Sequence, residues 1–249
     1  MEPLNSMNDS IYGRVGNGTS ERQIAISQFV SRTYGWMFVG LMVTGIISLS
    51  VASSEAAIRM ILENRILFFG LMIAEVGLVM GLSALIHRIS SLLAILGFLT
   101  YSVLNGITLS VIFMLYTLSS VGHVFLIAAA MFGGMALFGT VTKKDLAGVG
   151  AFFGMGIWGL ILVGLANLFI LSESLSLGMS AAGVLIFSGL TAYNAQNIRA
   201  MAYQYAANGS QAHATEEGRK GAVFGALVLY LNFINLFLSL LRLFGQRRD

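Results

Sequence analysis

Seven long apolar runs separated by short polar breaks dominate the chain, at about Phe29–Ala52, Ile66–Ile86, Ser91–Tyr116, Val121–Val141, Ala147–Leu171, Leu177–Tyr203 and Gly221–Phe244. Each has at least the roughly 20 residues that a helix needs to cross a bilayer core of about 30 Å. The last run, GAVFGALVLYLNFINLFLSLLRLF, carries no charge before Arg242 and holds a second pattern inside the first. Gly221, Gly225, Val228, Asn232, Asn235, Ser239 and Arg242 recur in alternating steps of four and three, which keeps them on one helix stripe. That stripe is small or polar, while the rest of the helix is Leu, Phe, Val, Ile and Tyr. Small residues let membrane helices approach closely, and carboxamides buried in lipid need partners. The last helix is therefore expected to be buried in a bundle along this seam, with Asn232 near mid-depth.

The polar segments add little independent structure. Met1–Gln28 is rich in Gly, Asn and Ser, holds the only proline (Pro3), and reads as a disordered or surface-lying tail. Within it, Glu21–Ser31 has the weak periodicity of a short lead-in helix. Residues 29–245 form a single seven-helix domain, and 246–249 form a short C-terminal tail. No cleaved leader is expected, because the tail lacks an apolar core; the first membrane helix serves as the targeting signal.

Composition agrees with the pattern. Apolar residues make up 57% of the chain and charged ones 10%, with a mean hydropathy of +0.83, so the fold class is all-α integral membrane and the main partner is the lipid bilayer. The net charge of +3 does not point to nucleic acid, because the basic residues lie in short loops where they orient helices. One side collects Arg14, Arg22, Arg32, Arg88, Lys143, Lys144, Arg199, Arg219 and Lys220; the other has Arg59, Arg65, Arg242, Arg247 and Arg248. That asymmetry places the N-terminus in the cytoplasm and, after seven crossings, the C-terminus outside; re-entry of the last helix would move Arg242, Arg247 and Arg248 to the cytoplasmic side, so charge favours re-entry while length favours crossing.

Candidate chemistry is sparse. There is no cysteine, and His87, His123 and His213 lie on separate loops or ends without ligand spacing, so neither a metal site nor a cofactor is expected. No G-x-S-x-G, S-x-x-K or phosphate-cradling motif occurs, and the chain does not read as an enzyme. The pairs Gly77/Gly81, Gly150/Gly154 and Gly221/Gly225 read as close helix contacts. Glu75 stands out: it sits in the middle of the second span, in LFFGLMIAEVGLVMGLSAL. A carboxylate at that depth is costly and is a candidate ion or proton site, against the plainer reading of a single structural hydrogen bond. Asn105, Asn167, Asn194, Gln196 and Asn197 read as interhelical hydrogen-bonding groups, worth about 0.6 to 2 kcal/mol each.

Five stretches, YGWMFVGLMVTG, YSVLNGITLSVIF, AAMFGGMALFGTVTKKDL, GLTAYNAQNIRAM and GALVLYLNFINLFLSLLRLFG, touch every span but the second. In that order the chain resembles the Bax inhibitor-1 family, in its bacterial branch. The resemblance implies six helices surrounding the last one, a bacterial plasma (inner) membrane location, and a role as a pH-sensitive calcium or cation leak in ion homeostasis and stress protection. It also implies an alternative, in which the protein modulates a membrane-bound ATP-dependent protease through helix contacts and has no ion path. The family's pH sensor is a pair of aspartates on the sixth and seventh spans, in contexts such as LTAYD and LYLDFINLF. Here those positions are Asn194 and Asn232. Two nearby carboxyls share protons and titrate as a switch, whereas amides do not titrate and carry no charge. The expectation is a hydrogen-bonded Asn194–Asn232 pair that keeps the sixth and seventh spans together while pH gating is altered or lost, with Glu75 left as the titratable candidate.

Overall fold

The computed structural model describes residues 4–207 and 215–248, with side chains from residue 20 onward. Nine helices form among them: α1 (Leu4–Ala52), α2 (Glu55–Glu63), α3 (Arg65–Leu85), α4 (Ser91–Leu109), α5 (Ile112–Leu115), α6 (Leu118–Val141), α7 (Ala147–Ile170), α8 (Glu173–Ala207) and α9 (Glu216–Phe244). Seven stretches, in α1, α3, α4–α5, α6, α7, α8 and α9, are long and apolar enough to cross a membrane. His213 and residues 1–3 of the polar tail lie outside the described residues.

The last helix is the core. About two thirds of the apolar stretch of α9 is buried (67%), against 6% for those of α3 and α7. It packs directly on α1, α4, α6 and α8, while α3 leans on α4 and α7 on α8 from outside. The small, polar seam explains the closest of these contacts. Gly221 lies against Tyr205, Gly225 against Ile198 and Thr33, and Ser239 against Gly183, so the seam runs along α8, antiparallel to it, with α1 beside its N-terminal turn. The opposite faces of α9 are filled by aromatic contacts: Phe233 meets Phe125 and Phe132, and Tyr230 meets Phe98 and Tyr101 edge-on.

Several details differ from the hydropathy pattern. Residues 4–28, assigned to a disordered or surface-lying tail, belong to α1, so the lead-in helix expected over Glu21–Ser31 is present but continuous with the first span, and Ala25 is buried with Phe29. The polar residues around it dilute the apolar spacing of the tail, which hides the Ala25 anchor. Residues 55–63 form an amphipathic helix that buries Ile58 and Ile61 and is capped by Ser54. The third span breaks after Leu109, turns through Ser110, and resumes as α5. Beyond α5 the chain is extended, and Tyr116 pairs with Arg247 in a short antiparallel bridge. Thr117 N donates to Gln246 O (3.1 Å), Arg248 N to Leu115 O (2.9 Å), and Gln246 N to Ser120 Oγ (2.9 Å). The C-terminal tail is thereby tied to the turn between α5 and α6.

The glycine pairs divide. Gly150 lies against the Tyr193 ring, 2.6 Å from where its Cβ would be, but Gly154 has nothing within 4 Å, so only half of that expected pair is close-packed; Gly221 and Gly225 are both close-packed, at 2.8 and 3.0 Å. Gly77 and Gly81 instead face open space, because α3 packs on the bundle along one side only. For that pair, close packing on a neighbouring helix is not found.

Candidate functional site

Glu75, half-buried on the outer helix α3, is tied to the bundle by one face of α4. Asn105 and Thr108 are three residues apart, hence on the same side of that helix, and both reach across to α3. Asn105 Nδ2 donates to Glu75 Oε2 (3.2 Å), and Thr108 Oγ1 donates to Glu75 Oε1 (2.5 Å). Asn105 is itself buried and accepts at Oδ1 from the Tyr230 hydroxyl of α9 (3.0 Å). Tyr230, fully buried, meets Thr44 Oγ1 of α1 at 2.6 Å, and Thr44 donates to the Ser102 carbonyl (2.8 Å). A polar chain thus runs Glu75–Asn105–Tyr230–Thr44 across α3, α4, α9 and α1, walled by Phe98 and Tyr101.

The carboxyl has no cationic partner among the described residues: the ion pairs are Arg59–Glu55, Arg219–Glu216 and Arg247–Glu173. Nor do three or more His, Cys, Asp or Glu side chains gather anywhere among them. The donor set at Glu75 is one carboxyl, one hydroxyl and one amide, which suits a proton or a weakly held cation better than a tight calcium cage, with its six to eight oxygens.

The α8–α9 contact is built differently. Asn232 is buried, yet its Nδ2 has no hydrogen-bond partner, and Asn194 is half-buried. No hydrogen bond joins the two among the described residues, so the expected Asn194–Asn232 pair does not form. The register explains it. With Gly183 beside Ser239 and Ile198 beside Gly225, Asn232 lies level with Leu190 and Thr191, and Asn194 is about one turn away. The other polar members of the seam turn onto their own helix. Asn235 Nδ2 donates to Leu231 O (2.8 Å) and Ser239 Oγ to Asn235 O (2.7 Å). Arg242 is exposed and lines a cavity of about 720 Å³ at the end of the bundle, together with Glu173 and Arg247. Glu75 and Asn232 also sit on different sides of the core helix: Tyr230 and Asn232 are two residues apart, about 200° around the axis.

Of the remaining carboxamides, Gln196 and Asn167 have separate structural jobs, while the Asn197 side chain makes no hydrogen bond among the described residues. Gln196 accepts from Leu146 N (2.9 Å) and donates to Lys144 O (2.8 Å), clasping the α6–α7 loop, while Arg199 donates to the Thr140 carbonyl at the end of α6. Asn167 is not interhelical. Its carbonyl accepts from Leu171 N and its Oδ1 from Ser172 N, closing the α7–α8 turn in which Leu171 adopts a left-handed φ of 52°. Sequence reasoning missed Tyr230, Thr44 and Thr108. Thr108 was within reach, as the next residue on the Asn105 face; Tyr230 and Thr44 carry no signal apart from their neighbours.

Comparison with known proteins agrees with this architecture. The family described as inhibitor of apoptosis-promoting Bax1 matches residues 26–249. An inner membrane protein of Escherichia coli K12, YbhL, is 41% identical over 223 residues, covering 90% of this chain and 93% of its own. A protein of Borreliella burgdorferi is 39% identical over 233 residues (93% and 98%), and one of Deinococcus radiodurans is 38% identical over 239 (92% and 99%).

Proposed function

Because the chain belongs to the Bax inhibitor-1 family and is a multi-pass inner-membrane protein, we propose that it is a cation-leak or ion-homeostasis protein whose response to pH resides at Glu75. The family's acidic pair is replaced by Asn194 and Asn232, so the α8–α9 contact has nothing to titrate. One observation carries the reading: Glu75, an acid at membrane depth without a cation, is hydrogen-bonded through Asn105 to Tyr230 of the buried core helix. A change of charge at Glu75 therefore acts on the element that every inner helix packs against.

Flux of calcium and of monovalent cations into proteoliposomes, measured from pH 5 to 8, tests this. The expected result is a pH-dependent flux that becomes flat in Glu75→Gln. A steep dependence that survives Glu75→Gln would sink the assignment. Asn194→Asp combined with Asn232→Asp is expected to add a second pH-dependent component.

A modulator acting through helix contacts on a membrane-bound ATP-dependent protease is the second reading. It is favoured by the outer face of α3, where Gly77 and Gly81 stand open to the bilayer and would let another helix approach closely. Co-purification with such a protease, lost in Gly77→Leu with flux unchanged, is the outcome that would prefer it.

A further inference from the structure

Five polar contacts link Glu75 to the backbone of α4. Thr108 and Asn105 reach Glu75, Tyr230 reaches Asn105, Thr44 meets Tyr230, and Thr44 reaches the Ser102 carbonyl. A hydroxyl has one proton to donate, an ionised carboxylate has none, and an amide oxygen only accepts. With Glu75 ionised, Thr108 and the Asn105 amide donate to it, and Tyr230 donates to Asn105 Oδ1. Thr44 is then left with one proton for two acceptors, Tyr230 Oη and Ser102 O. One contact in five has no hydrogen.

With a proton on Glu75 and the Asn105 amide turned over, every contact is filled. The carboxyl donates to Asn105 Oδ1, Asn105 Nδ2 to Tyr230, Tyr230 to Thr44, and Thr44 to Ser102 O, while Thr108 still donates to Glu75. The two arrangements differ by one proton on the carboxyl and by an exchange of the amide N and O, which occupy nearly the same space.

We infer that a single proton on Glu75 sets the direction of this hydrogen-bond chain, making Glu75–Asn105–Tyr230–Thr44 a proton-operated switch between α3 and the core helix. The inference rests on the reading of Glu75 as the proton-responsive site and names how that site speaks to α9. The proton comes from solvent, binds the carboxyl and stays there; a side-chain amide turns but does not hand a proton on, so orientation is transmitted along the chain and no charge is moved.

The surroundings support such a device. The titratable groups facing Glu75 are Tyr101 of α4 and Tyr230 of α9. No Lys, Arg or His pairs with it among the described residues, and on α2 Arg59 is held by Glu55. The far end of the chain has room to respond. Thr44 lines a cavity of about 100 Å³ together with Ser48, whose buried Oγ has no partner. The rest of its lining is apolar, so Thr44 and Ser48 are its polar side chains. In the ionised arrangement Thr44 Oγ1 accepts from nothing; in the protonated one Tyr230 fills it. The switch thereby frees or occupies one acceptor at this cavity.

Infrared difference spectroscopy of the protein in nanodiscs tests the inference, with the Glu75 carboxyl band assigned by its loss in Glu75→Gln. Thr44→Val does not touch Glu75, but it removes two hydrogen bonds from the proton-bearing arrangement and one from the ionised arrangement. The expected result is about a tenfold lower proton affinity, a shift of the band's midpoint by about one pH unit towards acid. Tyr230→Phe removes the same balance of bonds and should shift the midpoint in the same direction. Midpoints unmoved in both variants overturn the switch while leaving Glu75 as a proton site. A band that does not titrate at all overturns the Glu75 reading itself.

Discussion

Asn232 shows how much the surroundings of a single residue matter. An amide has nearly the size of a carboxyl but does not titrate, and here its Nδ2 is buried and unbonded. Burying an amide group without a hydrogen bond costs about 1–3 kcal/mol. Asn232→Leu is thus expected to leave the thermal midpoint in detergent unchanged or raise it. A fall of several degrees would mean that the amide has a partner in the membrane. Asn105 is the opposite case. It bonds on both sides, to Glu75 and to Tyr230, so Asn105→Leu takes one hydrogen bond from half-buried Glu75 and one from buried Tyr230 and should lower stability by roughly 1–3 kcal/mol, measurable by denaturant unfolding. That asymmetry was invisible in the sequence, where both residues are asparagines in apolar runs. A spacing pattern places a side chain on a face, whereas its partner is chosen by the register of another helix.

Among the elements, the helix pairs differ most in how closely they approach. The α6–α8 contact is the tightest: a Cβ at Gly139 would run into the backbone of Ala192. Backbone cannot move aside as a flexible side chain does, so Gly139→Ala should cost at least about 1–3 kcal/mol and reduce the folded yield. Gly77→Ala, with nothing within 4 Å, should be neutral or gain up to about 1 kcal/mol from helix propensity. Opposite effects from the same chemical change would check the packing directly. The α9 seam was legible beforehand because period and residue size both pointed to it. The amphipathic α2 and the break after Leu109 were not: nine residues are too few for a hydropathy window, and the break substitutes one hydrogen-bonding pattern for another without a change in polarity.

For the whole molecule, the arrangement of ends makes the crossing count testable. One end of α9 meets α4, where Ser91 donates through its backbone N and its hydroxyl to Glu216; the other meets the α5–α6 turn through Arg247 and Arg248. The last helix therefore runs from one end of the bundle to the other. Loop charge places Arg88, Lys143 and Lys144 in the cytoplasm. A C-terminal alkaline phosphatase fusion should be active and a C-terminal green fluorescent protein fusion dark, with the reverse result overturning the orientation. The bundle itself was foreseeable from composition and periodicity; which helices sit inside it and which outside was not, since α3 and α7 are as apolar as α9.

The most buried helix also follows the other six spans along the chain. Until α9 arrives, α1, α4, α6 and α8 have no common partner, and the groups that later clasp it, among them Thr44, Asn105 and Phe132, must face lipid, water or one another. Six spans thus wait in the membrane around a vacant slot, and assembly completes only when α9 enters and the Tyr116–Arg247 bridge latches behind it. A chain cut before Glu216 should insert six times yet remain open to protease and prone to capture by membrane quality control. Supplying α9 as a separate peptide would be the natural way to rescue it.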